Sequence, residues 1–324
     1  MLRVIFTEAD LDQVRVATAP DPLWEIANSL DRLQTRRGRW AYAPWYRAAS
    51  ETLTDSVLRK MVGSLLVPLF PRAAYFPDFL TPPASLDGLD AGIDAVLATP
   101  AERVTSELKT LALVHQAPSW APRLAAGDLR TELEVGLRTY HQKLIQPHHQ
   151  LIEKELAADR ATRARALKRG GVDRLLSGFQ PLMRWRSPVL EVRYPVNRTI
   201  RLEGRGLQLI PSYFCWHNAV TLADADLSPV LIYPVLRELA TPKAGEPTTA
   251  ALLGKTRAAV LRATAAGLTA GEIAAQVGIG APTTSHHLTV LRDSGLITTQ
   301  RAEKTVLHVL TPLGAALLRQ RPRS

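Results

Sequence analysis

Residues 267–297 read GLTAGEIAAQVGIGAPTTSHHLTVLRDSGLI, and the punctuation of this stretch decides the architecture of the C-terminal part of the chain. Gly267 closes a helix whose apolar face carries Leu253, Val260, Leu261 and Thr264. Thr269 followed three residues later by Glu272 is the pattern of a capping box, so a second helix starts there. That helix buries Ile273 and Val277 and stops at Gly278. The turn Gly278-Ile279-Gly280 sets one apolar side chain between two glycines, which lets two helices cross steeply. A third helix is expected from Pro282 to about Ser294, with Gly295 ending it. In it Thr284, His287, Leu288 and Leu291 fall at i, i+3, i+4 and i+7 and form the inward stripe. Pro282, Thr283, Ser285, His286, Thr289 and Arg292 therefore face outward, with no carboxylate before Asp293.

Downstream, 296–300 and 305–310 read as the two strands of a β-hairpin. Its turn is Arg301-Ala302-Glu303-Lys304, with Arg301 and Lys304 at the tip. Thr311-Pro312 opens a last apolar helix over 313–318. Helix, helix, turn, helix, hairpin, helix is the order of a winged helix-turn-helix domain. Its third helix can enter a major groove of double-stranded DNA, because short hydroxyls and an imidazole reach base edges while cations meet phosphates. Residues 250–324 carry nine basic residues against three acidic ones, a net of +6. Most of the chain's formal charge of +10 thus sits in under a quarter of its length, which favours a polyanion partner there.

The stretch closely resembles the helix-turn-helix of the ArsR family of bacterial repressors, through Ser285-His286-His287-Leu288, Leu291-Arg292 and Gly295-Leu296. The resemblance covers about residues 250–318. It implies a homodimer that reads operator DNA and represses transcription. The chain departs from the metal-sensing members. Thr269-Ala270-Gly271 stands where arsenic and lead sensors carry Cys-x-Cys, and the last helix, PLGAALLRQ, offers none of the His or acidic ligands of zinc-type sensors. No metal and no cofactor is therefore expected. The preceding residues are similar to a larger N-terminal domain fused to such heads in some actinobacterial-type regulators, through Pro22-Leu23-Trp24-Glu25 and Leu209-Ile210-Pro211-Ser212.

Working back from the motif, 241–249 (TPKAGEPTT) has two prolines, a glycine and no apolar run, and reads as a linker. All six Trp, seven Tyr and six Phe precede it. Residues 1–178 read as mostly helical. Helices are expected over 24–33 (capped by Asp21 and Pro22), 50–67 (Leu53, Val57, Met61 and Leu65 at four-residue spacing), 100–114, 129–145 and 150–169, the last ending at Gly170-Gly171. A loop is expected over 80–90. Short β-branched or aromatic runs at 189–194, 199–203, 207–210 and 230–233 predict a small, mostly antiparallel sheet over 180–240, with Gly204-Arg205-Gly206 as a hairpin turn. The expected fold is thus α+β: a mostly helical N-terminal domain with a small antiparallel sheet over 1–240, serving dimerisation and sensing, a linker over 241–249, and the winged helix-turn-helix over 250–324.

A single cysteine, Cys215, excludes an intrachain disulfide framework and a multi-cysteine metal site. His141, His148 and His149 are broken up by Pro147 and read as surface. Cys215 and His217 alternate as if on one strand face and read as packing rather than a dyad. No paired-carboxylate, nucleophile or nucleotide-loop signature stands out, so the chain is not expected to be an enzyme. The opening MLRVIFTEAD carries acids and no long apolar stretch, and the run around Leu65–Phe70 is far too short to span a bilayer, so the protein is expected in the cytoplasm with no membrane partner. The aromatic-rich residues 1–240 suffice for a pocket, and a small-molecule effector is the expected ligand. The competing reading is a winged helix used for protein contacts, or an architectural protein, without an effector.

Overall fold

A computed structural model describes the chain except residues 36, 39, 40, 74, 117, 225, 236–248, 303, 304 and 320–324, and the side chains of 251, 302 and 319. Two compact units emerge: Met1–Thr35 with Trp45–Arg237, and Arg36–Pro44 with Glu238–Ser324. The linker expected over 241–249 lies, except for Thr249, outside the described residues. The fold is mixed α and β, as expected.

The helices of the first unit are α1 (Glu8–Leu11), α2 (Pro22–Thr35), α3 (Ala43–Thr52), α4 (Ser56–Met61), α5 (Val67–Leu69), α6 (Leu89–Leu97), α7 (Ala101–Val114), α8 (Ala121–Ala126), α9 (Arg130–Tyr140) and α10 (His149–Ser177). Asp21 caps α2 as its position before Pro22 suggests, its Oδ1 accepting from the amides of Leu23 and Trp24 at 3.0 Å each. The helix expected over 50–67 is two helices. Asp55 caps a new start by accepting from Val57 N and Leu58 N, and Val57 is 76% exposed. The buried side chains are instead Leu58, Val62, Leu66 and Leu69, and a π-helical segment, Val62–Leu66, shifts the register between them. A second π segment, His141–Ile145, follows α9. Most of the loop expected over 80–90 is 3₁₀ turn, after which α6 begins. Helix α10 breaks at Gly170-Gly171, with Gly171 at φ 62°, and resumes to Ser177.

The strands are β1 (Leu2–Ile5), β2 (Val14–Val16), β3 (Met183–Arg186), β4 (Val189–Val192), β5 (Arg198–Arg201), β6 (Leu207–Ser212) and β7 (Val230–Pro234). They form two sheets, ordered β3-β4-β1-β5 and β2-β6-β7. The antiparallel direction expected for residues 180–240 holds for β3 with β4, and β4 pairs antiparallel with β1. The β1–β5, β2–β6 and β6–β7 pairs are parallel. The first two arise because β1 and β2, from the opening residues, insert beside β5 and β6; the third departs from the antiparallel expectation because residues 213–229 carry the chain back so that β7 runs in the same direction as β6. Gly204-Arg205-Gly206 is therefore no hairpin turn; it carries the chain from β5 in one sheet to β6 in the other. Gly206, at φ 68°, donates its N–H to Asp10 Oδ1 at 2.9 Å.

The two sheets and the end of α10 enclose one core, built on Leu2, Val4, Phe179, Trp185, Leu190 and Tyr233. Inside the unit, the two stretches on which the N-terminal resemblance rests meet each other. The fully buried Glu25 of α2 accepts from Tyr213 N at 2.6 Å, Phe214 N at 3.0 Å and Ser212 Oγ at 3.1 Å, and Asn28 donates to the same Ser212 hydroxyl. Burial pushes the Glu25 carboxyl up to about 7, against the pull of these donors.

Cys215 is buried, its thiol pushed up to about 12 by desolvation, while His217 is exposed at φ 62°. The two do not share a face: residues 213–219 leave β6 as a turn, so the alternation expected of a strand is absent. Among the described residues no group of three or more His, Cys, Asp or Glu side chains comes together as a metal site would need, and no helix is long and apolar enough to cross a membrane.

Candidate nucleic-acid interface

The second unit is assembled from α11 (Thr249–Leu253), α12 (Lys255–Thr264), α13 (Ala270–Val277), α14 (Ala281–Asp293), the strands β8 (Ile297–Ala302) and β9 (Thr305–Leu310), and α15 (Pro312–Arg319). The single first helix expected here is interrupted by Gly254, at φ 80°. The capping box forms: Thr269 Oγ1 accepts from Glu272 N at 3.3 Å, and Glu272 Oε2 accepts from Thr269 N at 3.0 Å. Gly278 ends α13 in the left-handed region at φ 73°, and Ile279 turns inward against the core of the unit. That core is Val260 and Leu261 of α12, Ile273 of α13, Leu288 and Leu291 of α14, and Leu296 and Ile297 entering the hairpin.

This packing presents α14 as the spacing of its residues requires. Thr284, Leu288 and Leu291 are buried and His287 is half-buried, while Pro282, Thr283, Ser285, His286, Thr289 and Arg292 are all exposed. Thr284 spends its hydroxyl on Gly280 O at 3.1 Å. Arg292 lies 3.8 Å from Asp293 in a solvent-exposed pair, which holds it weakly and leaves it available to another anion. The ring of His287 sits 5.6 Å from that of His286. Burial, then electrostatic repulsion from Arg257 and the neighbouring His286, lowers the His287 pKa, and burial, then Arg292, lowers that of His308. Both imidazoles are thus biased toward the neutral form.

The hairpin differs from expectation in one respect. Strand β8 runs to Ala302, so Arg301 is a strand residue paired with Val306 rather than part of the turn, and it is exposed. Glu303 and Lys304, also expected in the turn, lie outside the described residues. A third strand position, missed in the sequence, completes the wing: Leu268 bridges His308, whose N–H donates to Leu268 O at 2.9 Å. A single bridged residue between two helices leaves no periodic signal; only the apolar Leu268 before the Thr269 cap hinted at it.

Three helices with a steep turn and a hairpin braced by a bridge define a winged helix-turn-helix unit. Comparison with known proteins agrees for this segment: a helix-turn-helix domain family matches residues 252–300. Over 48 residues, 15% of this chain, the sequence is 48% identical to the biofilm growth-associated repressor of Xylella fastidiosa strain Temecula1, and equally to that of strain 9a5c. The match covers 42% of each relative. No solved structure matches the chain.

Proposed function

We propose that the chain is a transcriptional regulator of ArsR type that binds operator DNA in the cytoplasm as a homodimer and represses transcription, and that it is not an enzyme. The observation that carries this reading is the carboxylate-free outward face of α14, with all six of its expected groove-facing residues exposed. The likeness to a protein named as a repressor supports the sign of regulation. A symmetric dimer would place two heads on an inverted repeat. Leu252 in α11 and Leu313 in α15, 73% and 60% exposed, are apolar residues on the outer helices that a partner copy would cover. Ser285 and His286 read base edges, Pro282 and Thr283 bring the start of α14 to the groove, Thr289 and Arg292 meet the backbone, and Arg301 and Lys304 touch phosphates from the wing.

Two kinds of variant test the division of labour by gel shift against the region upstream of the gene. Ser285→Ala or His286→Ala is expected to relax preference at particular bases by about 1–3 kcal/mol. Arg301→Ala is expected to weaken all sequences alike and to reduce the salt slope by about 1. Absence of saturable binding at low salt, with or without effectors, would instead support a protein-contact role for the winged helix.

The N-terminal unit is proposed to sense a small, largely apolar organic molecule. Its support is a groove of about 430 Å³ beside the first π segment, lined by Met61, Leu65, Trp120 and Val135 together with Arg123 and Glu132. Trp120 donates its indole N–H to Ser64 O at 3.0 Å, so a ligand here would be reported by its fluorescence. Such a ligand alters operator affinity only by binding the competent and incompetent states differently. Metabolites that raise the melting temperature are expected to quench or shift this emission, to lose that effect in Trp120→Phe, and to change operator affinity. Ligands that bind without changing operator affinity would leave the unit a dimerisation platform.

A further inference from the structure

The outer face of the first sheet is built from residues that the DNA head does not use. Strand register puts Arg184, Glu191, Arg3 and Thr199 side by side across β3, β4, β1 and β5. The next outward row is Arg186, Val189, Ile5 and Arg201. Arg3, Arg184, Arg186 and Arg201 are exposed, and none of the four side chains is held by a hydrogen bond or ion pair among the described residues. Eight outward positions thus hold four guanidinium groups and one carboxylate. The opposite face carries Leu2, Val4, Met183, Trp185, Leu190, Val192 and Ile200 into the core, so the arginines cannot turn inward.

We infer that this sheet face is a second contact surface for duplex DNA, one that grips the phosphate backbone. The choice of duplex DNA rests on the DNA reading of the head; the surface itself does not. Strands lie about 4.8 Å apart, so Arg186 and Arg201, three strands apart, stand about 14 Å from each other, against a major groove about 12 Å wide. Four long, rigidly based guanidinium groups over that span can meet phosphates on both sides of a groove. Single-stranded nucleic acid is a poorer fit. It is held by aromatic rings on which bases stack, and Val189, Ile5 and Thr199 offer none, while Trp185 is turned into the core with its indole N–H on Asp173. An anionic bilayer is also a poorer fit, because the apolar residues among these eight positions, Ile5 and Val189, are half-buried and cannot insert.

The test uses the full-length chain and a 40-base-pair duplex, with affinity measured by fluorescence anisotropy across a salt series. Each lost phosphate contact flattens the slope of log K against log salt by about 0.9. The triple variant Arg184→Gln, Arg186→Gln, Arg201→Gln is expected to flatten it by about 2–3 and to weaken binding about tenfold or more at 0.1 M salt. The matching triple Lys variant, which keeps the charge, is expected to retain most of the slope, and so separates charge from fold. Arg292→Gln with Arg301→Gln probes the head alone. If that head variant flattens the slope and the triple Gln variant does not, the sheet-face inference is overturned and the head reading stands. If the full chain binds no duplex at low salt, both fall. If the triple Gln variant loses binding to phosphatidylserine vesicles while its DNA slope is unchanged, the surface belongs to a membrane and the inference is overturned.

Discussion

Arg163→Ala is expected to destabilise the N-terminal unit by about 3–5 kcal/mol, the range measured when one partner of a buried ion pair is removed. Arg163 and Asp159, one turn apart on α10, are each 4% exposed and paired at 2.9 Å. The arginine also donates to Gly178 O at 2.7 Å and lies 3.9 Å over the ring of Phe179. Asp159 accepts in addition from the Tyr233 hydroxyl of β7 at 2.6 Å. Without Arg163, a carboxylate stays in the core with one neutral donor, Gly178 O loses a donor, and a void opens beside Phe179. Urea denaturation followed by the tryptophan fluorescence of this unit measures the loss. Asp159→Leu with Arg163→Met, which removes both charges and keeps apolar volume, is expected to recover more than half of it. A single variant that costs less than about 1 kcal/mol would show that the pair is better solvated than its burial implies.

Gly314→Ala is the second large effect, and it falls on the head. A Cβ at this position would stand 2.0 Å from the carbonyl oxygen of Leu296 and 3.1 Å from a methyl of Leu310. The nearest obstacle is backbone, and that carbonyl already accepts from Thr311 N at 3.1 Å, so α15 must lift away from the start of the wing. Overpacking of this kind costs about 3 kcal/mol, near the upper end of the usual range. A domain of this size has little stability to spare. The expected result is loss of amide-exchange protection in α14, β8 and β9, together with loss of duplex binding. Gly271→Ala is the control. Nothing lies within 4 Å of its added Cβ, and it sits in α13, so it should stabilise the head by about 0.5 kcal/mol. Unchanged protection in Gly314→Ala would mean that α15 is not seated on Leu296 as described.

How far the sequence could be read depends on how far apart the interacting residues are. The capping pair Thr269 and Glu272, the stop at Gly278 and the stripe Thr284, Leu288 and Leu291 lie within 23 positions, and each was legible by itself. Strands β4 to β7 were legible too, as short apolar runs between turn residues. The double helix start at Asp55 was visible in principle as a capping residue, but the four-residue apolar spacing through Val57 outweighed it. The π segments were not legible, because the period that reveals a helix is the one they interrupt.

Local chemistry therefore determined the helix-turn-helix and its outward face, since caps, glycine turns and a 3.6-residue period act within a few turns of chain. Tertiary structure alone decided that Leu2 would pair with both Val192 and Arg198, that Glu25 would meet the Ser212 turn, and that Leu268 would complete the wing. The longest of those contacts, Leu2 with Arg198, closes a loop of 196 residues. The entropy lost in closing such loops is offset only when the whole core is buried, so no short window of sequence carries their signal. The same holds for the arginine face. Its members come from three separate strands, and only the register that places them in two rows makes one surface of them.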